Sequence, residues 1–158
     1  MLNKSVKGNL GSTALKYLNA DAETKAELIK YYNENCVKYV KKSRKYNMKE
    51  TDNWCAMFTS VIAHKCGYEQ SAFPYEVSVL EQVELAKLKG AYSRGVSLCY
   101  KDDLIIYNWQ GVGVPDHVGI VLDRSGDTIR VIEGNYRNTV GIRVVKLDSL
   151  DIQGFILI

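Results

Sequence analysis

The chain has 158 residues, 46% of them apolar and 25% charged, with two prolines and a net charge of +3. That length fits one domain able to bury a core, residues 1–158, and the composition is that of an ordinary globular protein. The charge is too mild to imply a nucleic-acid partner, and the basic run Lys38–Tyr46 reads as a solvated face.

The start, MLNKSVKGNLGSTALKYLNA, lacks the apolar core of a signal peptide. Nowhere is there a run of about 18 apolar residues, so no membrane insertion is expected. From Ser12 the segment TALKYLNA reads as a first helix, and Asp21 caps a second over residues 22–42. In that second helix Ala26, Ile29, Tyr32 or Asn33, Cys36 and Val40 recur at steps of three and four, which makes Cys36 a buried apolar position. A third helix is expected from Asp52 or Asn53 to about Lys65, stopped by Gly67. A fourth covers EVSVLEQVELAKLKG and stops at Gly90.

Beyond Gly90 the texture changes to short β-branched and aromatic runs: DLIIYNW, DHVGIVLD, TIRVIEGN, TVGIRVVKL and IQGFILI. The stretch Asp123–Thr128 reads as a hairpin turn between two of them. Helices followed by strands predict an α+β fold, with N-terminal helices packed on a C-terminal antiparallel sheet of about five or six strands.

The four cysteines, Cys36, Cys55, Cys66 and Cys99, contain no CxxC, and a chain of this length has no need of a disulfide framework. His64 and Cys66 point apart on one helix, so no zinc site is expected from them. Cys55, in DNWCAM, lies at the first turn of the third helix. It is either a small core residue or a thiolate stabilised by the helix end. A helix N-terminus and a neighbouring imidazolium can bring a thiol from about 8.5 to about 3.5–7.5. The same free N–H groups would face an oxyanion.

His117 opens a strand, and Glu133 and Asn135, two apart, share a strand face. A hairpin at Asp123–Thr128 would lay these strands side by side and bring imidazole and carboxylate together. Asp116, beside His117, would point the other way as a turn or surface residue, and Asp102 and Asp103 read as a turn-forming pair.

The combination of NWCAMF (53–58), DDLIIYNWQGVGVPDHVGIVLD (102–123), VIEGNY (131–136) and the terminal IQGFILI resembles the CHAP domain, the cysteine- and histidine-dependent amidohydrolase/peptidase family of the papain-like NlpC/P60 group. The resemblance covers about residues 50–158; the helical part, 1–49, matches only in general shape. It implies Cys55 as nucleophile, His117 as general base and then acid, Glu133 as the group orienting the imidazole, and Asn135 as an accessory polar member. Trp54 and Trp109 would brace the site or contact substrate. The aspartate cluster that forms a calcium loop in some members is missing before Cys55, so no metal and no cofactor is expected.

The implied function is hydrolysis of an amide bond in peptidoglycan, by an amidase or an endopeptidase acting as a monomer. A bacteriophage endolysin made in the host cytoplasm, or a virion-associated lysin, fits the chain. An antibacterial effector, an acyltransferase and an inactive wall-binding or structural module are the alternatives.

Overall fold

The computed structural model describes residues 9–96 and 99–158, so the first eight residues of the expected helical part lie outside the described residues. Helix α1 spans Leu10–Leu15 and begins before the expected point. Its cap is Asn9, whose Oδ1 accepts the Ser12 N–H at 3.1 Å, and Ser12 itself lies in the first turn. Helix α2, Ala22–Asn35, starts where expected, with the Asp21 carboxylate accepting the Thr24 N–H at 2.8 Å.

Helix α2 ends seven residues short of the expected Lys42 and gives way to two short 3-10 turns, Val37–Tyr39 and Lys42–Arg44. The Asn33 side chain draws the chain back by bonding both the N–H and the carbonyl of Met48. Cys36 ends the helix fully buried, and that burial pushes its thiol up to about 12.

Helix α3, Cys55–Lys65, is the central one: every residue from Cys55 to Ala63 is buried. Helix α4, Val79–Leu88, is capped by Ser78 and so begins later than the expected Glu76. Glu76 is instead a buried carboxylate that accepts Arg44 Nε–H at 2.7 Å and the N–H groups of Val77 and Ser78. Gly67 and Gly90 both take positive φ just after α3 and α4, as expected of helix stop residues.

Among the described residues six strands form one antiparallel sheet: β1 Tyr92–Ser93, β2 Leu104–Tyr107, β3 His117–Ser125, β4 Thr128–Tyr136, β5 Thr139–Lys146 and β6 Ile152–Ile156. Their spatial order is β1-β6-β2-β3-β4-β5. The two-residue β1 was not expected and pairs only with β6. Ser125 pairs with Thr128, so the β3–β4 loop is the two residues Gly126 and Asp127, with Gly126 at positive φ. The fold is thus α+β, with the helices packed on one sheet face.

On that face Leu104, Ile106, Val118, Ile120 and Ile132 meet α1–α4 in one apolar cluster. The other face carries Ile105, Tyr107, Val121, Val131 and Phe155. Among the described residues no helix is long and apolar enough to cross a membrane.

Candidate active site

Helix α3 has no side-chain cap. Asp52, one of the two expected caps, turns away to accept the Lys49 N–H at 2.8 Å and the Tyr46 hydroxyl at 2.9 Å. Asn53, the other, accepts a bond from Asn135 at 3.3 Å. Trp54 occupies the cap position, and the first helical bond is Phe58 N–H to the Trp54 carbonyl. The N–H groups of Cys55, Ala56 and Met57 therefore have no partner within the helix, and the helix dipole points its positive end at the Cys55 side chain.

One glycine lets α3 sit on β4, and a second makes room for Glu133 between β3 and β4. Gly134 faces α3, where a Cβ would run into Phe58 and come within 2.7 Å of its ring. Gly119, on β3, leaves the space that the Glu133 side chain crosses; a Cβ there would lie 2.8 Å from Glu133 Cγ. With Phe58 seated on Gly134, the N-terminus of α3 meets the start of β3 and the end of β4.

Cys55, His117 and Glu133 come together at that junction. Cys55 is 5% exposed, His117 9% and Glu133 0%. His117 Nε2 faces Glu133 Oε1 at 3.5 Å, which leaves Nδ1 as the ring nitrogen available to the sulfur. That separation is at the long limit of a hydrogen bond, and the carboxylate acts on the ring through this contact and through its charge. Burial by itself would lower the pKa of the imidazole. Interaction with the Cys55 side chain, and after it with Glu133, outweighs burial and raises the pKa to about 9.

Asn135 does not continue the alternation expected from sequence. The register shifts between Glu133 and Tyr136, and Asn135 takes a φ of 57°. Its amide donates to Asn53 Oδ1, tying the end of β4 to the segment before Cys55. Trp54 is fully buried and packs edge-on to Phe58 at 6.2 Å. The expectation that it touches substrate is therefore corrected: a ring with no exposed surface can only brace the start of α3. Trp109 is 42% exposed, stacks on Tyr107 at 4.5 Å and lies 6.1 Å from the His117 ring. Asp116 holds it there, accepting the N–H groups of Trp109 and Gln110 at 2.7 and 3.3 Å.

Asp103, read from sequence as half of a turn-forming pair, is buried instead and accepts the N–H groups of Tyr100 and Ile158. Asp102 takes a positive φ and accepts the Gly11 N–H at 2.8 Å, joining α1 to the sheet.

Sequence reasoning missed Arg143 and Tyr107. Arg143 Nε donates to both Glu133 oxygens, at 2.7 and 2.9 Å. Gly141 pairs directly with Glu133, and Arg143, two residues further along β5, shares its face. An unbroken hairpin across residues 136–139 would set Glu133 opposite Ile142 and turn Arg143 to the other face, so the register slip between Glu133 and Tyr136 hid this contact from the sequence. Tyr107 pairs with His117 across β2–β3, and its ring is 5.8 Å from the imidazole. Burial first, and the charge of Glu133 second, hold its phenol neutral far above the ordinary range.

Beside Tyr107, Trp109 and Arg143 runs a groove of about 390 Å³ that is also lined by Lys146, Asp148 and Asp151; Cys55, His117 and Glu133 do not line it. A larger hollow of about 570 Å³, between the 3-10 turns and α4, contains none of the site residues.

No family model matches this sequence, and no curated protein matches it. Among solved structures it is similar to the crystal structure of Ly7917, with 12% identity over 94% of this chain and 61% of that one and a TM-score of 0.48. The chain therefore spans about three fifths of that protein's length.

Proposed function

We propose that this chain hydrolyses an amide bond of peptidoglycan through a Cys55 thioester. The observation that carries the chemistry is the meeting of Cys55, at the uncapped start of α3, with an imidazole backed by the buried Glu133. The choice of substrate rests on the resemblance of the Cys55, His117 and Glu133 motifs to the CHAP family.

In this reading the Cys55 sulfur attacks the amide carbon, and the free N–H groups of the first turn of α3 stabilise the resulting oxyanion. The His117 imidazolium gives its proton to the nitrogen as the C–N bond breaks and the amine leaves. The imidazole then takes a proton from water, whose oxygen adds to the thioester carbon. Collapse breaks the C–S bond and releases the acid. Asn135 steadies the segment before Cys55, Trp54 braces it from below, and the exposed Trp109 ring beside His117 meets the substrate. The chain needs no metal or cofactor in this scheme, and its biological setting is a phage lysin acting on the wall after release.

Digestion of purified peptidoglycans with mass spectrometry of the fragments tests this. A new N-terminal alanine on the stem identifies an amidase, and a new amine on glycine or a lysine side chain identifies an endopeptidase. Cys55→Ala is expected to lower the rate by at least about 10⁴-fold. Conjugates with an added primary amine would identify an acyltransferase instead. No fragment from any wall would refute the hydrolase reading.

A further inference from the structure

Glu133 has no exposed surface, and a buried carboxylate is costly unless a charge or several donors compensate it. Its nearer partner is Arg143, at 2.7 and 2.9 Å, and the imidazole it faces is at 3.5 Å. Arg143 is itself held in place: its guanidinium carbon lies 5.0 Å from the ring centres of Trp109 and Tyr136 and 5.8 Å from that of Tyr107. Gly141 keeps the space beside it clear, since a Cβ there would collide with the Tyr136 ring.

We propose that Arg143 is a positioning residue for the Cys55–His117 pair, acting through Glu133 by compensating the charge of that buried carboxylate and holding it aimed at the imidazole. The proposal rests on the reading of Cys55 and His117 as a reactive pair, and it does not depend on which amide is cleaved. The groups around His117 are few: Cys55 from α3, Tyr107 from β2, Glu133 from β4 and the Trp109 ring from the loop before β3. Arg143 and Tyr107 lie against Glu133 and each other, Tyr136 lies against Arg143, and Cys99 lies beside Tyr107. Of these, only Arg143 brings a permanent positive charge to the carboxylate.

Without Arg143, the buried Glu133 loses its nearest positive charge and the two bonds that aim it. His117 then loses a well-placed carboxylate that favours its charged form, and the sulfur loses its imidazolium partner. A lysine at 143 can supply the charge from a point, though not the planar stacking of a guanidinium.

The test is the pH profile, from 4 to 10, of iodoacetamide alkylation at Cys55, read by mass spectrometry of that peptide in the full chain. Wild type is expected to react at pH 6 well above the rate of an ordinary thiol. Arg143→Gln and Glu133→Gln should each slow the pH 6 rate at least about 10-fold and move the profile to higher pH, while Arg143→Lys stays within about threefold of wild type. The double variant Arg143→Gln/Glu133→Gln needs no counter-ion for residue 133, and it should lose no more than Glu133→Gln alone. Arg44→Gln, which breaks the other buried arginine–glutamate pair, should leave the profile unchanged. A wild-type profile in folded Arg143→Gln, or losses that multiply in the double variant, would overturn the proposal. A wild-type Cys55 no faster than an ordinary thiol would overturn the reactive pair and this inference together.

Discussion

His117 has a sulfur on one side and a carboxylate on the other, and the proton it carries is stabilised by both. This has a consequence for stability, because the imidazole is ordinary, near 6.5, in the unfolded chain and raised to about 9 in the fold. A raised folded value means that its contribution is complete below about pH 6.5 and is lost as the pH rises through about 9. Stability to urea should therefore fall over that interval, by up to about 1.4 kcal/mol per pH unit, and His117→Gln should flatten the slope. The other thiols behave differently. Burial pushes Cys36 to about 12 and Cys99 to about 11, so limited alkylation at pH 7 should label Cys55 well before either.

Seating α3 on β4 requires Gly134, and this contact decides where the Cys55 end of the helix lies. Gly134→Ala should cost about 1–3 kcal/mol in urea unfolding, because the added methyl must displace Phe58. It should also slow alkylation of Cys55 in the molecules that remain folded. Asn135 combines two duties, a left-handed backbone and a bond to Asn53. Asn135→Gly relieves the backbone and removes the bond, whereas Asn135→Ala strains the backbone by about 1–2 kcal/mol as well. If the backbone is what matters, the glycine variant should keep peptidoglycan hydrolysis and the alanine variant should not.

Among the described residues two buried glutamates meet two partly exposed arginines, with separate consequences. Glu76, paired with Arg44, joins the 3-10 turns to the start of α4 and lies outside the Cys55 junction. Arg44→Ala should cost about 1–3 kcal/mol of stability, since Glu76 keeps the N–H groups of Val77 and Ser78. Its activity per folded molecule should match wild type.

Much of this architecture was legible along the chain. Capping and stop residues located the start of α2 and both ends of α3 and α4 to within a few residues, and β-branched runs located five of the six strands. These signals are local: a helix stripe or a strand alternation repeats every few residues and needs no knowledge of distant neighbours. The Cys55, His117 and Glu133 candidates were found in the same way, as residues at element ends. The rest needed the fold. Arg143 meets Glu133 only because β5 pairs with β4 in one register, and Asn135 leaves the expected face only because that register slips. Trp54 disappears from the surface only when α3 is enclosed. Pairing register and enclosure depend on contacts between residues far apart in the chain, and no local period encodes them.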